Sequence, residues 1–427
     1  MDNNRVKPLE GKPVFTYSSY IVAATWIMLF LPSSVAVGIF FKPILEEFGL
    51  DRATLSLIQT GAMLAYAVAS PFLGRLIDRF GPKVILFACI ATQTLTGVIN
   101  GLATSLLHLY IARFLYEMRG IHAAQVLVNR WFVKKRGRAQ GVVATGWPIG
   151  ILVISPFSQY LVQVWGWRMT MLFWAGVTFA ILLPLTIFIR DNPEEKGYGP
   201  DGKPLNRATP TGQSLKRLAD TPPVKPTTGP GSRLSEAVMS GSFWLLAASQ
   251  FICGIGCGFI MTHIVIFATD IGYSAMIGAT FLSVQGGVNL VGVLLTGQLS
   301  DRIARSRVLA MTHTIRSVSF VIVVISLLLS DGSLWLIYIA MALFGFGFFT
   351  TAPLTAGLVA DLFGYRQMGT LLGLMLTFHT VGMAIGAYSG GITFELTSSY
   401  FSFFAIQGVL EFLAAVSAFY IKRKAIY

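Results

Sequence analysis

Long apolar runs separated by short charged turns dominate this chain. Twelve can be drawn, at 18–42, 55–75, 83–105, 107–131, 140–163, 169–189, 242–268, 275–298, 308–330, 333–359, 368–392 and 400–421. Each is close to the roughly 20 residues that a helix needs to cross a bilayer. Backbone groups in hydrocarbon must be satisfied within their own segment, so the runs predict helices. The pattern as a whole predicts an all-α membrane protein of twelve transmembrane helices in two pseudo-symmetric six-helix bundles, 1–190 and 236–427. The hydrophilic stretch 191–235 between them reads as a linker. It carries Asn192-Pro193-Glu194-Glu195-Lys196 and Pro222-Pro223-Val224-Lys225-Pro226. It has no sustained apolar period beyond a short amphipathic helix expected around Leu234 to Met239.

The two-fold pattern has a second sign. Gly74-Arg75-Leu76-Ile77-Asp78-Arg79 closes the second run, and Gly297-Gln298-Leu299-Ser300-Asp301-Arg302 closes the eighth, 223 residues later. One Gly-x-Leu-x-Asp-Arg cassette thus recurs at the same place in each half, as duplication of a six-helix unit would leave it.

Composition narrows the function. Apolar residues make up 54% of the 427 and charged residues 12%. No loop is long enough to fold a soluble catalytic domain, so an enzyme is not expected. If the runs alternate across the membrane, one side collects 26 of the 32 Lys and Arg residues. That asymmetry predicts cytoplasmic N- and C-termini in a multi-pass protein of the plasma membrane, or of the inner membrane in a bacterium. It also accounts for the net charge of +13, which leaves no reason to propose a nucleic-acid partner. The first apolar run is not followed by a small-residue cleavage site, so no removable signal peptide is expected. There is no Walker-type phosphate loop and no cofactor motif. Cys253 and Cys257 share a helical face, but no His or carboxylate accompanies them at ligand spacing. With Cys89 they read as packing residues, and no metal site is expected.

Several stretches resemble a known family. The cassette Gly74 to Lys83, with its partial copy at 297–305, resembles the loop signature of the major facilitator superfamily. It departs from that signature at Pro82 and Ala304. Within the superfamily the chain is similar to the monocarboxylate porter and oxalate/formate antiporter group. Arg130-Trp131-Phe132-Val133-Lys134-Lys135-Arg136-Gly137-Arg138, Phe243-Trp244, His263 to Gly272 and Asp361-Leu362-Phe363-Gly364-Tyr365-Arg366 carry that similarity. The resemblance implies two rocking bundles around a central site and a small carboxylate as substrate, with protons or a counter-anion as coupling partner and a lipid bilayer as surroundings. The working unit is expected to be a monomer.

Ionisable groups at mid-membrane depth are costly and usually functional. The fourth run holds Arg113, Glu117, Arg119 and His122. Arg113 and Glu117 are one turn apart and should pair as i,i+4 neighbours, organising their own bundle. Arg119 is about 160° round the helix from Glu117, so its planar forked donors are offered to a carboxylate substrate. The eighth run supplies Gln285 and Asn289, and the eleventh His379, as polar substrate partners. Tyr66 is expected as a wall. Glu117 or His379 would carry a coupled proton. The resembled porters place a binding Arg on the eighth helix. This chain has none there, which shifts that duty to Arg119. Asp78, Arg79, Asp301 and Arg302 are expected to gate, by pairing with the other half in one conformation only. His263 reads as structural or gate-lining, and Arg316 as a packing or interfacial residue. Two alternatives stay open: a proton-coupled exporter of lipophilic compounds, and a membrane sensor that does not transport.

Overall fold

The computed structural model describes residues 17–31, 37–117, 121–132, 136–199, 234–300, 302–329, 333–364 and 368–421. Helices with short turns account for these segments. In the first half they are α1 (Tyr17–Phe30), α2 (Val37–Phe48), α3 (Arg52–Phe80), α4 (Pro82–Gly101), α5 (Leu106–Glu117), α6 (Ile121–Trp131), α7 (Arg136–Ala144) and α8 (Gly146–Phe188). After the short α9 (Leu234–Val238) the second half has α10 (Gly241–Asp270), α11 (Ala275–Ser300) and α12 (Arg305–Leu329). It is completed by α13 (Leu334–Phe346), α14 (Thr351–Phe363), α15 (Met368–Thr397) and α16 (Phe401–Phe419). The five-residue α9 is the short helix expected near Leu234.

Three differences from the sequence pattern stand out. The first run holds two helices, α1 and α2, on either side of residues 32–36, which lie outside the described residues. The fifth and sixth spans are joined in α8 and separated only by a reversal at Gly166 (φ 76°, ψ 165°), a backbone state that favours glycine. The tenth span breaks between α13 and α14. There Gly345 lies against the Gln285 carbonyl and Gly347 against the Arg316 side chain, so close that a Cβ would meet them at 2.4 and 2.7 Å.

The cassette of the second span is helical to Phe80, and the chain turns at Gly81 (φ 83°) into α4. Pro82 stands at the first position of α4, where its missing N–H costs nothing. Asp191, just past the sixth span, accepts from the Lys83 backbone N–H at 2.8 Å, and Lys83 Nζ donates to the Ile187 carbonyl at 2.9 Å. The cassette is therefore anchored within its own half. At the other end of α3, Asp51 caps the helix by accepting from the Thr54 N–H and hydroxyl at 2.6 and 2.7 Å. These bonds, the hydroxyl's foremost, hold the Asp51 carboxyl below its ordinary pKa. A Cβ at Gly81 would sit 2.3 Å from Asp191 Oδ2, at a φ that side chains resist. Gly81→Ala should thus destabilise the protein by about 1–3 kcal/mol. Thermal unfolding of the purified protein checks this, and an unchanged midpoint would refute the anchoring role.

Among the described residues the halves meet most extensively where α3 packs on α15, α8 on α11 and α2 on α10. Glycine brings the backbones close at these crossings. Gly391 meets Arg52 and Ala53, and Gly286 meets Pro148, with virtual Cβ contacts of 2.8 and 2.6 Å to the carbonyls of Arg52 and Pro148. Small residues let membrane helices approach in this way.

Candidate functional site

One end of the molecule carries the basic turns; the side-chain bonds between the halves run from the opposite end to mid-depth. At that far end Arg52, the first residue of α3, forks onto Asp270, the last residue of α10. Nη1 and Nη2 donate to the two carboxylate oxygens at 2.5 and 2.8 Å. Nη1 also donates to the Tyr400 hydroxyl at 2.8 Å, and the guanidinium carbon lies 3.4 Å from the centre of the Phe394 ring. The Arg52 backbone N–H donates to Glu395 at 2.9 Å. Below this latch the fully buried His263 lies 3.1 Å from the Tyr400 hydroxyl, 2.8 Å from the Ala387 carbonyl and 3.3 Å from Ser56 of the other half. Thr60 donates to the Ala384 carbonyl at 2.9 Å. The halves are closed together here. On the basic face Arg305 pairs with Asp361 at 2.5 Å inside the second half, and Lys83 stays within the first.

Inside the first half lies a cavity of about 60 Å³ between the first, second, third, fourth and sixth spans. Its polar lining is Gln59, Thr96, Asn100, Arg113 and Tyr116. Arg113 donates to Glu117 at 2.7 Å, and Glu117 is only 3% exposed. Arg113 also covers the Tyr116 ring, 4.4 Å from its centre. The cavity has room for about four waters. A guanidinium already paired to a carboxylate, beside two carboxamides, is a surface able to accept a second carboxylate if the first is protonated.

The second half has a polar core of its own. Arg316 on α12 donates from Nε to Glu411 on α16 at 2.9 Å, with Nη2 at 2.7 Å from the same oxygen. Both side chains are fully buried. His313 Nδ1 lies 2.8 Å from the other Glu411 oxygen. Arg316 also donates from Nη2 to the Cys253 carbonyl at 2.9 Å, and Nη1 is 3.2 and 3.4 Å from the sulfurs of Cys253 and Cys257. Closer to the crossing with α8, Asn289 donates to the Gly345 carbonyl at 2.9 Å. The Asn289 oxygen and both amide atoms of Gln285 are buried without a hydrogen-bond partner.

A family model described as Major Facilitator Superfamily matches residues 17–387. The chain belongs to this superfamily. It is 25% identical over 419 residues to the uncharacterized MFS-type transporter YcxA of Bacillus subtilis (strain 168), covering 92% of this chain and 93% of that one. Monocarboxylate transporter 13 of Rattus norvegicus is 23% identical over 383 residues, covering 87% and 80%. Among solved structures, a bacterial homolog to the human lysosomal transporter Spinster superposes with a TM-score of 0.65 over 95% of this chain and 94% of that one, at 15% identity. That likeness supports the twelve-helix architecture. The protein is a multi-pass membrane transporter of the major facilitator type.

Against this superfamily frame the expected site residues fall into distinct places. Arg119 and Asp301 lie outside the described residues, as do the side chains of Asp78 and His122. Arg79 and Arg302 are exposed at the basic face. Glu117 makes the i,i+4 pair with Arg113. Gln285 and Asn289 share the face of α11 that meets Gly345. The register of α3 on α15, with Arg52 beside Gly391 and Thr60 beside Ala384, brings Tyr66 level with His379. Both side chains are half-buried. His263 is buried at the far-side closure, and Arg316 is fully buried against Glu411 within the second half.

Sequence reasoning missed Glu411, His313, Arg52 and Asp270. A signal existed for Glu411: one acid in the last apolar run, matching one unexplained Arg in the ninth. For Arg52 and Asp270 only their opposite charges at two far-side helix ends were visible.

Proposed function

We propose that this protein is a secondary transporter of a small organic anion, a monocarboxylate by its chemistry, working by rocking of its two halves in the plasma membrane or bacterial inner membrane. The observation that carries the reading is the Arg113–Glu117 ion pair, buried beside Gln59 and Asn100 at the polar side of a small, mostly apolar cavity among the first-half spans. We assign the carboxylate to Arg119, with Arg113 as the second guanidinium of the same span. Protonation of Glu117 would release Arg113 from its 2.7 Å pair, so that a proton and an anion enter together. Charge in a low-dielectric site is then conserved at each step. His379, Gln285 and Asn289, which do not line that cavity, would supply polar contacts from the second half once the substrate sits between the halves, with Tyr66 as a wall. The buried amide atoms of Gln285 and Asn289 support this, since an orphaned amide costs about 1–3 kcal/mol that a ligand contact would offset.

The far-side latch and the basic-face pairs held within each half correspond to a state closed to the outside, with the termini cytoplasmic. Asp78, Arg79, Asp301 and Arg302 would join the halves in the opposite state. The relatives named monocarboxylate transporters support the cargo class.

Uptake of labelled lactate into proteoliposomes tests the reading. Arg119→Ala should raise the half-saturating concentration by about 30-fold or more, and Arg119→Lys should recover little. Asp78→Asn should keep affinity while turnover falls. Wild-type affinity in Arg119→Ala would remove the assigned role. Uptake driven by an imposed pH gradient supports symport, whereas uptake only against an internal acid supports exchange. Transport of lipophilic cations without acids would favour the exporter, and binding without flux the sensor.

A further inference from the structure

Cys253 and Cys257 are one turn apart on α10, and Arg316 Nη1 reaches both sulfurs, so the two point to one place. Tertiary packing adds a ligand that local spacing lacks. A ring nitrogen of His379, on α15, and the two sulfurs all lie within 4.8 Å of one another. The approach is enforced by backbone contact rather than by a flexible side chain. Gly254 lies against the His379 carbonyl and Gly258 against the Met383 carbonyl, where a Cβ would be 2.1 and 2.0 Å away.

We propose that Cys253, Cys257 and His379 form a three-ligand site for a divalent d10 cation, zinc in the cell, reached through the half-buried His379. Two sulfurs and an imidazole suit zinc and disfavour the hard ions magnesium and calcium. Around a tetrahedral zinc these donors would stand about 3.5–3.8 Å apart, a closure within the reach of side-chain rotation. Charge selects a dication. Glu411 already neutralises Arg316, so two thiolates and a neutral imidazole need two positive charges to leave the buried cluster uncharged. The surroundings are those of a supported site: Arg316 donates to both sulfurs, and the Thr351 hydroxyl is 3.6 Å from Cys253 Sγ. Occupation would tie α10 to α15 and withdraw His379 from the pathway, so the ion acts as an inhibitor. This last clause rests on the role proposed above for His379; the binding does not.

The test uses the purified full-length protein with Cd²⁺ as spectroscopic probe. Equilibrium dialysis should find one Cd²⁺ per chain, with a thiolate-to-cadmium charge-transfer band in the ultraviolet. The Cys253→Ser/Cys257→Ser double variant should lose both, and His379→Ala should weaken binding by roughly tenfold or more. X-ray absorption of the cadmium-loaded wild type, which needs no variant to fold, should show sulfur in the first shell. An oxygen-only shell, or binding unchanged in the double variant, overturns the site. In proteoliposomes Zn²⁺ should inhibit the wild type and spare the double variant. Full transport by zinc-loaded wild type overturns the inhibitory role while the dialysis result still decides the site.

Discussion

Glu411→Ala should cost the protein about 3–5 kcal/mol, because it strips the counter-charge from a guanidinium that water cannot reach. Arg316 and Glu411 are both 0% exposed and meet at 2.7–2.9 Å. Glu411 also has His313 at 2.8 Å, and Arg316 spans α10, α12 and α16 through the Cys253 carbonyl and the cysteine sulfurs. The cation left behind would have to move or lose charge. Gly347 packs directly on its alkyl stem, which leaves little room for movement. Removing both charges with residues of similar volume, Arg316→Met with Glu411→Leu, should recover much of the loss, since the pair then has no desolvation cost to offset. Thermal unfolding of the three proteins in detergent measures this. A single variant as stable as wild type would show that the pair is not what holds these three helices together.

The second large effect concerns conformation. Arg52→Ala removes the forked bond to Asp270, the bond to Tyr400 and the contact with Phe394 at once. The two charged side chains are 12% and 23% exposed. Their coupling should therefore exceed that of an open surface pair, at about 2 kcal/mol, yet stay below the buried value. A loss of that size shifts a two-state population about 30-fold. The shift is toward the state open on the far side, since these bonds exist only when that side is closed. A Ser56→Cys reporter, buried at the α3–α10–α15 meeting in this structure, should become reactive to an impermeant thiol reagent added from outside. Asp270→Ala should produce a similar gain, and the double variant little more than either alone. Unchanged labelling would mean that glycine-mediated packing, not the ion pair, holds the closure.

These two cases mark where reading the chain stops being sufficient. Arg113 and Glu117 could be paired in advance, because four residues along one helix set their separation. The span boundaries near 163/169 were readable for a similar reason, because hydropathy is local, whereas the reversal at Gly166 came from the structure. Arg316 with Glu411 and Arg52 with Asp270 join residues 95 and 218 positions apart. Whether such charges meet depends on the rotation and register of each helix against its neighbours. Apolar surface in lipid leaves those choices nearly free. The same holds for His379, whose value as a partner of the cysteines depends on Gly254 and Gly258 letting two backbones touch.

What the chain by itself determined is therefore the membrane class, the twelve spans with their duplicated cassette, the charge asymmetry and the pairings within one turn. Only the tertiary structure decided which polar groups share a buried space: the latch between halves, the Arg316–Glu411 core, the Cys253–Cys257–His379 cluster and the cavity beside Arg113. The reason is one of range. Hydrophobicity and helical periodicity act within a segment. The contacts that join separate helices are made by small residues and single charges, and their meeting is settled by packing.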